Sequence, residues 1–209
     1  MFRVLIADDH PVVRRGLKLI LLEGFPSAEV EEVADGEALI KKVIQSNWDL
    51  VISDLSMPRR SGLEALQQIK QIRPHIPVLI LSIHPEEQYA IRVLRAGASG
   101  YLSKEVASSE LVIAVKKVML GKKYITDTIA EKLAAVLHQD PTKLSHELLS
   151  DREFAVLKLL ASGKSVSEIA ESMFLSVTTV STYRARLLGK MKMKTNADLT
   201  LYAIENKLI

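Results

Sequence analysis

The first part of the chain alternates short apolar runs with longer stretches in which apolar residues recur every three or four positions. The runs Phe2–Ala7, Ala28–Val33, Leu50–Asp54, Pro77–Ser82 and Gly100–Ser103 have the length and composition of buried strands. Between them the spacing predicts helices over Pro11–Glu23, Gly36–Ser46, Ser61–Ile72 and Glu86–Ala96. A fifth helix, capped by Ser108 or Ser109, ends near Gly121. Pro11 suits a first helical turn, Pro74 stops the third helix and Gly97 closes the fourth. Five strands alternating with five helices give an α/β fold, a parallel sheet with helices on both faces.

After Gly121 the pattern changes. Tyr124-Ile125-Thr126-Asp127 leads into a helical stretch from Ile129 to about His138, which Gln139–Lys143 breaks with polar residues and a proline. A partly helical linker is expected over 122–146, between a unit at 1–121 and another at 147–209. The second unit is helical throughout. Ser150 and Glu153 form a capping box for its first helix, which ends at Gly163. A short helix starts after Ser165 and gives way to a turn at Phe174-Leu175-Ser176. Ser176 caps a longer helix with Val180, Tyr183, Leu187, Leu188 and Met191 on its apolar side, and a last helix spans Asn196 to about Asn206. Two short helices, a tight turn and a longer helix bearing Arg184, Arg186 and Lys190 make a helix-turn-helix pattern within a small all-α, four-helix unit.

Charge sharpens this division. Residues 1–121 are charge-balanced, and the whole excess of +3 lies beyond them. Between 175 and 209 six basic residues face two acids, which favours a polyanionic partner. The absence of cysteine excludes disulfides, thiolate metal sites and cysteine nucleophiles. No apolar run approaches the ~18 residues of a membrane span, and Met1–Ile6 does not read as an export leader. A cytoplasmic protein without a membrane partner is expected.

The candidate chemistry lies at the strand ends. Asp8 and Asp9 follow the first strand, Asp54 ends the third, Ser82 the fourth, and Lys104 follows the fifth. Right-handed crossovers bring these ends to one edge of a parallel sheet, where α/β sites form. Three carboxylates there repel one another unless a cation joins them. An oxygen-only set suits Mg²⁺, or Mn²⁺ in its place. An aspartate beside such a cation and facing a lysine has the makings of a phosphoryl-accepting nucleophile. Taken singly, each residue also reads as a turn cap or a surface side chain.

These residues carry a resemblance. Asp8-Asp9, Asp54, Ser82, Tyr101 and Lys104 follow the plan of a response-regulator receiver domain. The resemblance implies a flavodoxin-like (βα)5 fold with strand order 2-1-3-4-5. It implies phosphorylation of Asp54 by a sensor histidine kinase, and Mg²⁺ held by Asp9, Asp54 and the Ser56 carbonyl, with Asp8 acting through metal-bound water. Lys104 would pair with the phosphoryl group, while the Ser82 hydroxyl moves toward it and the Tyr101 ring turns inward. Many receivers carry proline after the lysine. Here Glu105 follows, so a trans bond is expected. His10 resembles the family's Asp-Asp-His-Pro start and is given no chemistry, whereas His84 by resemblance faces the pocket mouth.

Ser165–Met191 resembles a LuxR-type domain through Glu168-Ile169-Ala170, Leu175-Ser176 and Thr179-Val180-Ser181-Thr182-Tyr183-Arg184. The whole chain is similar to NarL/FixJ-type response regulators, which implies a homodimer on double-stranded DNA after phosphorylation, with RNA polymerase as a further candidate partner. Thr178, Thr179, Ser181, Thr182, Ala185 and Arg186 are the candidates to face DNA, with Arg184 and Lys190 toward phosphates. Many relatives carry lysine at the Thr178 or Ser181 position. A metal-dependent phosphatase is a rival, weakened by Ser56, since the haloacid-dehalogenase type wants a second aspartate there. A regulator with a vestigial receiver and a docking adaptor are further rivals. The expectation is a transcription factor and not an enzyme.

Overall fold

The structure, a computed structural model, describes residues 2–137, His146 and 149–209. The chain divides into two compact units, Met1–Leu137 and His138–Ile209.

The first unit is built on five parallel strands, β1 (Arg3–Ala7), β2 (Glu29–Val33), β3 (Leu50–Asp54), β4 (Val78–Ser82) and β5 (Gly100–Ser103), in the order β2-β1-β3-β4-β5. This is the expected flavodoxin-like order. Helices α1 (Pro11–Gly24), α2 (Gly36–Gln45), α3 (Gly62–Ile72), α4 (Glu86–Arg95) and α5 (Ala107–Met119) connect and follow the strands. β3 and β4 are buried at every position, which explains why they read as unbroken apolar runs. The edge strand β2 is instead Glu-Val-Glu-Glu-Val. Its glutamates pair with Arg3, Lys42, Arg14 and Lys18, so one sheet edge is covered by charge.

Two expectations need correction. The second strand starts at Glu29 and not Ala28, whose N–H turns back to the Phe25 carbonyl. Neither Ser108 nor Ser109 caps α5. The chain enters it through a 3-10 turn at Lys104–Val106 capped by Ser103, and the Ser109 hydroxyl donates to the Val106 carbonyl at 3.1 Å. Glu105 supplies the main-chain N–H that the Ser103 hydroxyl accepts, a donor that a proline after Lys104 would lack. No cis peptide occurs among the described residues.

Beyond α5, Tyr124 bridges alongside Gly100. Its N–H donates to the Ser99 carbonyl and its carbonyl accepts from Tyr101, so it covers the outer edge of β5. Helix α6 (Asp127–Leu137) then packs on α4 and belongs to the first unit. Ile129 is 1% exposed, and the Thr126 hydroxyl donates to Glu86 Oε1 at 2.8 Å. His138 and the expected break at 139–143 lie outside the described residues.

The second unit comprises α7 (Asp151–Ala161), α8 (Val166–Ser172), α9 (Val177–Met191) and α10 (Asn196–Glu205). Ser150/Glu153 and Ser165/Glu168 form capping boxes, and Ser176 accepts from Thr179 N–H. Phe154, Leu157, Ile169, Val180, Leu187 and Leu199 form a closed core in which α7 meets α9 and α10. Glu153 is buried in that unit. Burial pushes its carboxyl up, but hydrogen bonds from Lys190 and from Ser150 prevail and hold it below the usual range.

Candidate functional site

Asp8 follows β1, Asp54 ends β3, Ser82 ends β4 and Lys104 follows β5, and the parallel register brings them to one edge. Each position has a local cause. Asp8 Oδ1 accepts from His10 N–H at 2.8 Å, and Arg14 Nη1 donates to the Asp8 carbonyl at 2.7 Å, which turns the chain from strand into α1. After Asp54 the loop closes on α3: Gly62 N–H donates to the Leu55 carbonyl at 2.8 Å, beside a Ser61/Glu64 capping box. A Cβ at Gly62 would be driven into the Asp54 carbonyl oxygen, so this close approach requires glycine.

Lys104 sits between two carboxylates, with Nζ 2.6 Å from Asp8 Oδ2 and 2.9 Å from Asp54 Oδ2. Asp8 is 1% and Asp54 4% exposed. Burial raises the Asp54 carboxyl above its ordinary value, an effect that Lys104 opposes and Asp8 adds to. Burial also disfavours the Lys104 ammonium, but its hydrogen bonds to Asp8 and Asp54 prevail and hold it above its ordinary value. Asp9 and His10 complete the cluster. His10 Nδ1 is 2.8 Å from Asp9 Oδ1 and 3.3 Å from Asp8 Oδ1. One ligand atom from each of Asp8, Asp9, His10 and Asp54 falls within 4.8 Å of the others. Three carboxylates against a single lysine form an oxygen-rich set that fits a hard divalent cation.

The remaining residues meet at His84. Its main-chain N–H donates to Ser82 Oγ at 3.0 Å, and its carbonyl accepts from the Tyr101 hydroxyl at 2.7 Å. Its ring stacks on Tyr89, and its Nε2 lies 3.0 Å from Ser56 Oγ. The Ser56 main chain also lowers the Asp54 carboxyl, against the effect of burial. Tyr101 is 2% exposed, with its ring already turned inward, and burial pushes its hydroxyl pKa up.

In the second unit Thr178, Ser181, Thr182, Ala185 and Arg186 lie on the exposed side of α9, away from buried Val180, Leu187 and Met191. Thr179 is turned to the cap, with Oγ1 2.8 Å from Ser176 Oγ. Arg184 Nε donates to Asn196 Oδ1 at 2.8 Å, and Lys190 Nζ lies 2.7 Å from Glu153 Oε2.

Residues 4–116 match the response regulator receiver domain, and residues 147–203 match the luxR family of bacterial regulatory proteins. Response regulator UvrY of Escherichia coli (strain K12) is 35% identical over 209 residues, all of this chain and 96% of that protein. The chain belongs to the two-component response regulators with a LuxR-type DNA-binding domain. Oxygen regulatory protein NreC of Staphylococcus carnosus (strain TM300) is 36% identical over 214 residues, 99% of each chain. Among solved structures, RcsB from Salmonella enterica serovar Typhimurium, bound to promoter rprA in the presence of the phosphomimetic BeF3-, superposes with a TM-score of 0.60 at 28% identity, covering 97% of this chain and 98% of that one. A structure of two RcsB dimers bound to two parallel DNAs also has a TM-score of 0.60 and 28% identity, over 96% and 97% of the chains.

This is a family of transcription regulators and not of enzymes. In this response regulator the Asp8, Asp9 and Asp54 cluster is of the kind receiver domains use for Mg²⁺. Among the described residues, no helix is long and apolar enough to cross a membrane. Two features of the site escaped the sequence. The His84 contact with Ser56 joins residues 28 apart, and Thr126 reaches Glu86 across 40. Neither separation leaves a periodic trace in the pattern.

Proposed function

We propose that Asp54 accepts a phosphoryl group from a sensor histidine kinase, and that this controls dimerisation and sequence-specific DNA binding. The observation that carries the reading is the Lys104 ammonium shared between the buried Asp8 and Asp54 carboxylates, in a chain that also bears a LuxR-type domain. In the transfer a carboxylate oxygen of Asp54 bonds to phosphorus as the phosphorus–nitrogen bond of the kinase's phosphohistidine breaks, and the departing imidazole takes up a proton. Lys104 supplies fixed positive charge at the acceptor and then pairs with the new phosphoryl oxygens. Asp8, Asp9, Asp54 and the Ser56 carbonyl would hold Mg²⁺, or Mn²⁺, which neutralises charge on the transferring group when bound.

After transfer, Ser82 Oγ hydrogen-bonds a phosphoryl oxygen, and releasing His84 N–H shifts the loop that also holds Tyr101. That loop opens α4, on which α6 is docked, so the signal reaches the chain leading to the second domain. The domains proposed are a receiver at 1–121, a partly helical linker at 122–146 and a DNA-binding domain at 147–209. Within the last, Thr178, Thr179, Ser181, Thr182, Ala185 and Arg186 serve the DNA-facing side, with Arg184 and Lys190 toward phosphates. The protein works in the cytoplasm as a homodimer on double-stranded DNA, with RNA polymerase as a further partner.

The test compares wild type with Asp54→Asn in the presence of Mg²⁺ and acetyl phosphate. Wild type should gain the mass of one phosphoryl group, dimerise and bind DNA more tightly, and the variant should do none of these. A second reading, a regulator independent of phosphorylation, draws support from the inward Tyr101 ring, because that arrangement is intrinsic to this chain. Equal DNA binding by both proteins would establish it instead.

A further inference from the structure

We infer that the recognition helix α9 selects thymine, through the C5-methyl groups that A·T pairs present in the major groove; the inference rests on the DNA-binding function above. A recognition helix reads base edges mainly with its N-terminal residues. In α9 these are Val177, Thr178, Ser181 and Thr182, with Ala185 one turn on, and all five are exposed. Thr178, Thr182 and Ala185 follow one another at intervals of four and three, on the side opposite buried Val180 and Leu187.

None of these five side chains can make a bidentate contact. Guanine is read by arginine or lysine on O6 and N7, and adenine by asparagine or glutamine on N6 and N7. What the face offers is methyl groups and a few hydroxyls, and part of that hydroxyl capacity is already used. The Thr182 hydroxyl donates to the Thr178 carbonyl at 2.9 Å, which leaves its methyl and an acceptor lone pair. The base feature complementary to alanine and threonine methyls is the thymine C5-methyl.

Of Arg184, Arg186 and Lys190, Arg186 shares the exposed side of α9, one turn beyond Thr182 and past the N-terminal residues that read base edges. Arg184 is hydrogen-bonded to Asn196 and Lys190 to Glu153, both beside the buried seam, and Arg186 comes in the third turn. Cations along the flanks hold the helix to phosphates without reading sequence. Discrimination therefore falls to the methyl-bearing face. Exposed Val177, beside Ser181 one turn away, extends that apolar surface.

The experiment begins with selection of duplexes from a randomised pool by the full chain treated with Mg²⁺ and acetyl phosphate. The selected half-site should carry thymines at the base pairs under the start of α9. Each such thymine is then replaced by deoxyuridine, which removes only the methyl and leaves the protein and every hydrogen-bonding group intact. Affinity should fall about fourfold per contacted methyl, the value of burying one CH₂ group. Thr182→Ser and Thr178→Ser, which lose a methyl and keep the hydroxyl, should weaken binding to the thymine site by a similar factor and abolish the difference between thymine and uracil at one position each. Sequence-selective binding with G·C pairs at those positions, or equal affinity for thymine and uracil duplexes, would overturn the inference while leaving DNA binding standing. Failure to bind any duplex would overturn the proposed function itself.

Discussion

Asp54 illustrates the conflict between function and stability at a single residue. Its carboxyl holds a proton more tightly in the folded chain than at its ordinary value of 3.8, because burial outweighs the pull of Lys104. As pH rises through 3.8 and on through the raised folded value, the unfolded chain ionises first, and stability falls. At neutral pH, with divalent cations chelated, this group therefore works against folding. Asp54→Asn keeps the shape without the charge and should stabilise the protein by about 0.5–2 kcal/mol, as substitutions that relieve a strained functional site often do. Added Mg²⁺ should narrow the gap, since a cation stabilises the carboxylate and not the amide. Thermal melts of both proteins across pH, with and without the metal, test this, and a less stable variant under chelation would refute it. Lys104→Met leaves two buried carboxylates facing each other without their cation and should cost about 3 kcal/mol at neutral pH, read by urea denaturation.

At the level of elements, α6 joins the switch to the rest of the chain. Among the described residues, its docking on α4 draws on the fully buried Ile129 and on the hydrogen bond between Thr126 and Glu86. Ile129→Ala should cost about 2–4 kcal/mol where α6 meets α4. Because α6 is the last element of its unit, the loss should appear as local opening and not as global unfolding. Hydrogen exchange in α6 should accelerate while the central strands β1, β3 and β4 stay protected. If α6 transmits the signal, the same variant should also blunt the gain in DNA binding on phosphorylation. Faster exchange with an unchanged gain would make α6 a passive cover for α4. The pattern of the sequence marked this helix by its apolar spacing and placed it in a partly helical linker. Spacing reveals an amphipathic face and is silent on what covers it.

For the whole protein, DNA affinity should depend steeply on salt. If Arg184 and Lys190 of both protomers of a dimer each neutralise one phosphate, affinity should fall about 100-fold between 50 and 200 mM salt. Arg184→Ala should reduce the slope by about two, with little change in which sequence is preferred. An unchanged slope would mean that Arg184 stays with Asn196 when DNA is bound. Half-sites one helical turn apart should bind the phosphorylated dimer tightly, and moving one by half a turn should abolish that gain.

The two-part division, the helices and strands, the strand-end residues and the capping box at Ser150 were legible in the sequence. Each depends on local chemistry: periodicity, a proline or glycine stop, or a hydroxyl three residues before a glutamate. The strand order came from the family resemblance carried by those residues, since alternation alone does not choose among parallel orders. Tertiary structure decided what depends on distance through space. It gave Lys104 to Asp8 and Asp54 together, gathered Ser82, Tyr101 and Ser56 on His84, and set Ser103 and not Ser108 at the start of the turn into α5. It also raised the Asp54 carboxyl and made Glu153, the capping-box partner of Ser150, a buried partner of Lys190. Burial and charge pairing are properties of neighbours, and for these residues the neighbours are remote in sequence.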